Sequence, residues 1–402
     1  MAKNIVFTMA SAVLKGKLKA AALTGLERFM LAQLTIPDRI PTFLAATNVE
    51  PYLIDKKYNY KLLAESVEAN LELFGKVKQR FPFDVVAVPT WLGLMLTGVA
   101  ELGVHFEIEE QRVPYACSHP IQSIEDLKKI KPFTAPSGYF KMTLDINREA
   151  QRRFPDAMIT FMNDGPWDLA MLLRGDKQLP MDFRIYKDYT ETKDPARREK
   201  IKKHGDPALY PAIMELTTQI STQIFTLARQ SGINMMGASM VDQFAAEPVL
   251  SIDDFIKYVL PYSDKARQAA GRGIGLGYMA SSPEKLVELL SHPILGKAMG
   301  VTGFTNYIFP TTPEGVTLPE FDEPMLKLVK ERKRSYMYLV HAKFIRDATG
   351  KQLEDVVKRI CQMATSMRAR MMLSVAAIAP GTDLKKIDLL LDCVDTYGRY
   401  TQ

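Results

Sequence analysis

Short apolar runs alternate with helical patterns along this chain, and that alternation restricts it to βα units on a parallel sheet. The clearest unit is the last. Met371-Met-Leu-Ser-Val375 reads as a buried strand, Pro380-Gly381-Thr382 as a tight turn, and the residues up to Gly398 as an amphipathic helix. Thr382 is placed to cap that helix, with Asp383 favourable in its first turn. The other strands are expected at residues 39–45, 83–89, 158–162, 233–239, 273–278, 300–304 and 337–341. A helix over 24–38 stopped at Pro37, a helix from Trp167, and a polar, charged insertion over 183–211 complete the outline. The insertion is either a lid or a surface excursion.

A single barrel with extensions fits the 402 residues, and two ordinary domains would fit as well. The division adopted is a helical extension over 1–23 followed by a barrel over 24–402. Apolar residues make up 47% of the chain with no run long enough to span a membrane, which indicates a soluble protein with a sizeable core. The net charge of +6 suits solubility and an acidic partner rather than nucleic acid. Cys117, Cys361 and Cys393 are odd in number and far apart, so a reducing cytoplasm is expected rather than a disulfide framework. The first 26 residues lack acids and carry Lys3, Lys15, Lys17 and Lys19. That composition is shared with targeting segments, but a plain helical extension of a cytoplasmic protein is the reading taken.

Four segments, in order, resemble the uroporphyrinogen decarboxylase-like superfamily. They are LERFMLAQLTIPDRIP before the first strand, DGPWDLAMLLRG (164–175), EPVLSIDDFIKYVLPYSDKA (247–266) and the closing VAAIAPGTDLKKIDLLLDCVDTYG. The resemblance implies a single (β/α)8 TIM barrel. It also implies one of two chemistries, porphyrinogen decarboxylation or corrinoid-dependent methyl transfer. True decarboxylases carry an arginine-rich segment where this chain has Ala45-Ala46-Thr47-Asn48-Val49-Glu50. They place an aspartate in the loop where this chain has Pro89-Thr90-Trp91-Leu92-Gly93. A polyanion site without its arginines would bury unpaired charge. The zinc methyltransferases carry a His-x-Cys pair and a late cysteine. Here the matching segments are Leu276-Gly277-Tyr278-Met279 and Ser374-Val375-Ala376-Ala377, so zinc is disfavoured. A metal would have to use residues such as Asp242, Glu247 and His341.

Barrel enzymes work at the C-terminal ends of their strands. That rule selects His341, Asp242 and Tyr278 as catalytic candidates, each able to deliver a proton or hydrogen bond to a leaving group. It selects Trp91, Asn48, Asn163, Gln243, Glu247, Asn306 and Lys343 as candidates for substrate binding. Each has a plainer alternative. His341 could be structural, Glu247 a helix-entry acid, Tyr278 a space filler and Lys343 a solvated charge. Asp164 is read as shaping a turn and Arg174 as structural. The alternate glycines of 271–277 indicate close backbone approach, not a nucleotide fingerprint. The basic runs 193–204 and 327–334 are solvated helix faces or, less simply, docking patches for an acidic corrinoid protein.

The reading adopted is a methyltransferase that moves a methyl group between a small methylated donor, such as an O-methyl ether, and a corrinoid (cobalamin) carried by a partner protein. A divergent lyase acting on a carboxylated substrate and a non-catalytic binding barrel are the alternatives. Dimers are common in the superfamily, so a homodimer is compatible with it.

Overall fold

A computed structural model describes residues 23–32, 35–91, 98–235, 238–277, 289, 291–294, 314–316, 319–375 and 377–400. Its parallel strands are β1 (Thr42–Ala45), β2 (Val85–Ala87), β5 (Met162–Asp164), β6 (Ala238–Val241), β7 (Ile274–Gly277), β8 (Tyr336–Val340) and β9 (Met371–Val375). A hairpin of β3 (His105–Glu107) and β4 (Tyr115–Ser118) stands apart from them. The principal helices are α1 (Gly25–Ala32), α2 (Val67–Arg80), α3 (Gly138–Arg153), α4 (Pro166–Arg174), α5 (Gln178–Glu191), α6 (Pro195–Lys202) and α7 (Leu209–Gln230). They continue with α8 (Leu260–Ala270), α9 (Pro319–Glu331), α10 (Ala342–Asp347), α11 (Gly350–Met367) and α12 (Lys385–Tyr397).

One sheet runs β2-β1-β9-β8 and another β5-β6-β7. A parallel bridge between Ala87 and Met158 brings β2 beside the segment entering β5. The strands therefore follow the order β8-β9-β1-β2-β5-β6-β7, as sequential βα units wound into a (β/α)8 barrel require. The expected strand at 300–304 and residues 1–22 of the expected 1–23 extension lie outside the described residues.

The strands are short, mostly apolar and buried on both faces, which suits a sheet lined inside by side chains and covered outside by helices. Below the barrel, at the N-terminal ends of β1 and β2, Asp84 accepts from Arg28 at 2.5 Å, from Arg39 at 2.7 Å and from the Thr42 amide at 2.8 Å. This buried carboxylate pins α1 to the barrel floor.

Several boundaries differ from the sequence reading. α1 is described as far as Ala32, and residues 35–38 are not helical, so the helix stops ahead of Pro37. The third strand is Met162–Asp164, shifted from the expected 158–162, and it takes in Asn163 and Asp164 because they continue the register Met162↔Ser239 and Asp164↔Val241. The fourth is centred later, at Ala238–Val241. Thr382 does not cap α12. Its hydroxyl is buried without a hydrogen-bond partner, and Asp383 Oδ1 instead accepts from the Lys385 amide at 3.0 Å. Cys117 lies on β4 rather than on a loop, while Cys361 and Cys393 are buried in helices. The 183–211 insertion is helical. Phe183 and Tyr210 at its two ends are buried in one aromatic cluster with Trp167 and Tyr258. Among the described residues, no helix is long and apolar enough to cross a membrane.

Candidate active site at the barrel mouth

The C-terminal ends of the parallel strands form the mouth. At β5 and β6 its walls are tied together by carboxylates. α4 starts at Pro166, which has no amide hydrogen, so the amides of Trp167 and Asp168 are the orphan donors of its first turn. Asp242, the residue after β6, satisfies both through Oδ1, at 2.9 and 3.3 Å. Its Oδ2 accepts from Ser263 Oγ at 2.5 Å. The tie is reciprocal. Asp168 Oδ2 accepts from the Gln243 amide at 2.9 Å and Oδ1 from the Phe244 amide at 3.1 Å. Each βα loop is thus capped by an aspartate of the other. Gly165 makes this possible, because a Cβ there would collide with the Asp242 carboxylate.

Asp164, Asp168 and Asp242 are all buried. Burial and the charge of Asp242 push the Asp164 carboxyl up to about 7. Burial raises Asp242 to about 6, against the opposing pull of its three donors, and raises Asp168 well above the usual carboxylate range. Asp242, with those three donors, is the member best held ionised. Asp164 is the neighbour that takes up a proton near neutral pH.

The β8 end is more open. His341 caps α10, and its Nδ1 accepts from the Lys343 amide at 3.2 Å. Nδ1 is therefore unprotonated, and the neutral ring carries its hydrogen on Nε2. Burial and the nearby Lys343 charge lower the pKa of the ring, so it is neutral at pH 7. Gly315 crosses over it with φ +84, and a side chain at 315 would strike Nδ1. Lys343 is exposed.

Asn48 is exposed at the β1 end, and its carbonyl accepts from the Ile378 amide at 2.8 Å. Asn163 is fully buried within β5. Trp91 is 2% exposed. Its indole N–H donates to Val49 O at 2.8 Å and its amide donates to Asn70 Oδ1 at 3.1 Å, which makes it a core side chain. Val88, before it, has φ +57, a conformation costly for a β-branched residue, at the mouth end of β2. Gln243 and exposed Glu247 share the loop after β6 with Phe244, which is 48% exposed. Tyr278 and Asn306 lie outside the described residues.

The structure therefore joins Asn163, Asp242 and Gln243 on one wall and His341 with Lys343 on another. Asp168 was not singled out by sequence, although an acid in the first turn after Gly165-Pro166 is a signal for a cap. Arg174 is structural, as read. It pairs with Asp182 at 2.6 Å and donates to Ile121 O at 3.1 Å. As for a metal, the described residues bring together no three His, Cys, Asp or Glu side chains able to hold one. Asp242 already has three hydrogen-bond donors.

No curated protein matches the sequence. The solved structure of a methyltransferase from Methanosarcina mazei has the same fold. It aligns with a TM-score of 0.66 at 14% identity, covering 94% of this chain and 99% of that one. The sequence profile of the uroporphyrinogen decarboxylase (URO-D) family matches residues 32–280, more than half of the chain. With the β/α architecture and the four segments in order, this chain belongs to the uroporphyrinogen decarboxylase (URO-D) family.

Proposed function

We propose that the protein is a methyltransferase of a corrinoid-dependent system, taking a methyl group from a small donor such as an O-methyl ether. One observation carries this reading: a barrel with the fold of a solved methyltransferase has, among the described residues after β1 where the decarboxylases carry arginines, no cation for a polycarboxylate. After β1 the chain is Ala46-Thr47-Asn48-Val49-Glu50, and Glu50, half-buried, has its carboxyl raised by burial. A carboxylated porphyrinogen would meet no arginine there.

The reduced corrinoid, carried by its own protein, is the nucleophilic substrate. The barrel's task is to hold the donor in line and assist departure of its oxygen. We assign that assistance to His341. With Nδ1 occupied by the Lys343 amide, Nε2–H is the ring's free donor. A neutral imidazole donates a hydrogen bond to the oxygen as the carbon–oxygen bond breaks and the methyl–cobalt bond forms. Lys343 stands beside it to meet the negative charge that develops. Asp168 and Asp242 position the loop carrying Gln243 and Glu247 for donor binding.

The test is anaerobic spectrophotometry of cob(I)alamin with the protein and phenyl methyl ethers, methylamines, methanol or betaines. The expected result is protein-dependent formation of methylcobalamin from one donor class. His341→Ala should lower kcat about 100-fold, with partial recovery in His341→Gln. Absence of conversion with every donor class would overturn the proposal.

A further inference from the structure

The turn between α5 and α7 stands at the rim of the mouth. Glu191, the last residue of α5, accepts from Lys257 Nζ and from Tyr258 OH, both at 2.8 Å. Lys187 pairs with Asp254 at 2.6 Å. Residues 254–258 follow the loop that leaves β6, which fixes the turn on the mouth side.

α6 fills this turn and is held from within. Arg198 and Lys202 lie 5.3 and 5.7 Å from the Tyr189 ring centre. Arg198 Nε donates to Thr192 O at 3.1 Å, and a Cβ at Gly205 would collide with the Ile185 side chain. The outward side is different. Lys193, Arg197, Lys200 and Lys203 are all exposed. Arg197 and Lys200, three apart on α6, share a face, and Lys193 and Lys203 extend it at either end. The acids of the same stretch are engaged elsewhere: Glu191 with Lys257, Asp194 with the Ala196 amide at 2.9 Å, and Glu199 with Lys202 at 2.9 Å. None of the four cations has an ion-pair partner among the described residues.

We propose that this cationic stripe is the docking surface for an acidic partner protein, the one that delivers the corrinoid to the mouth. The inference rests on the function proposed above. The charge faces outward at the rim, where it would steer and orient an incoming acidic surface. The eight residues of α6 span about 12 Å, the scale of a patch on a small protein. Nucleic-acid grooves pair cations with open aromatic faces, but Tyr189 is covered by Arg198 and Lys202. Membrane-surface helices carry large apolar anchors beside their cations, and the exposed apolar residues of α6 are only Pro195 and Ala196.

The test compares Arg197→Glu/Lys200→Glu with Lys330→Glu/Lys333→Glu, an equal reversal at the end of α9, where the chain turns into β8 on the barrel floor. Labelled poly-L-glutamate is the binding probe, read by fluorescence anisotropy at low and high salt. The rim variant should bind on the order of tenfold more weakly with a flatter salt dependence, and the floor variant should bind as the parent does. Methyl transfer to a corrinoid held by an acidic corrinoid-binding domain should lose a similar factor in kcat/KM, while transfer to free cob(I)alamin stays unchanged. Equal behaviour of the two variants overturns the proposal. Tighter rim-dependent binding of duplex DNA or phosphatidylserine vesicles than of poly-L-glutamate does so too. If the parent methylates neither acceptor, the proposed function fails, and the poly-L-glutamate comparison still judges the stripe.

Discussion

Replacing Asp164 with asparagine should stabilise this protein at alkaline pH, although it removes a polar group from a barrel strand. Asp164 is buried beside the Asp242 carboxylate, and its pKa is pushed from 3.8 to about 7. A rise of about three units, at roughly 1.4 kcal/mol per unit, sets an upper bound of about 4 kcal/mol for ionising it in place. Relaxation around the pair reduces the expected figure to about 2 kcal/mol. The sign follows from linkage. Because the folded pKa is raised, the native state holds this proton more tightly than the unfolded chain between about pH 4 and pH 7, and the Asp164 contribution to stability falls as pH rises through that window. Asparagine keeps the shape and cannot ionise. Urea unfolding followed by circular dichroism, repeated from about pH 4 to pH 8.5 with the slope m checked for constancy, should therefore show two things. The variant should exceed the parent by about 2 kcal/mol at the alkaline end, and the difference should shrink steadily toward about pH 4. A variant no more stable than the parent at pH 8.5, or one with the same pH slope, would refute the assignment of the proton to Asp164.

Gly165→Ala should cost about 2–3 kcal/mol, since its methyl group meets the immobilised Asp242 carboxylate. Combining it with Asp242→Ala in a double-mutant cycle of unfolding free energies should reveal coupling, and additivity would contradict the contact. Trp91→Phe removes the donor to Val49 O and should cost about 1–2 kcal/mol in thermal or urea unfolding. The KM for the methyl donor should be unchanged, because the indole is core. Protonating His341 forces Nδ1 to give up the Lys343 amide, so kcat should fall as pH drops through its lowered pKa. A rate that stays flat as the pH falls from 7 to the acid limit at which the protein remains folded would remove His341 from the reaction.

Much of the architecture is legible in the sequence because most of the buried parallel strands are predominantly apolar. Tyr336–Val340 and Met371–Val375 stand out between helices with clear polar faces. β5 is harder to read, because Asn163 and Asp164 are polar and precede Gly-Pro, the usual mark of a turn. They belong to the ladder because β6 supplies a register partner for each. Placement at strand ends is enough to single out Asp242 and His341. Their roles depend on distances the sequence does not carry. Asp242 acts on amides 74 and 75 residues away, and Asp168 has the same long reach toward Gln243 and Phe244. Thr382 shows the converse. Local spacing favours it as a cap, yet the chain buries it and uses the neighbouring Asp383.

The pairing of β1 with β9 also bears on how the protein is made. Thr42 and Phe43 lie beside Leu373 and Ser374, the Ile40 amide donates to Gly398 O at 2.9 Å, and Arg80 pairs with Asp388 across 308 residues. During synthesis the early strands therefore leave the ribosome with one edge unsatisfied, and that edge stays open until residues 371–400 have emerged. An open parallel edge is a template for misassembly. Slow elongation over the last fifty residues would prolong that exposure, and a nascent chain arrested before β9 is the form of this protein on which a chaperone has most to protect.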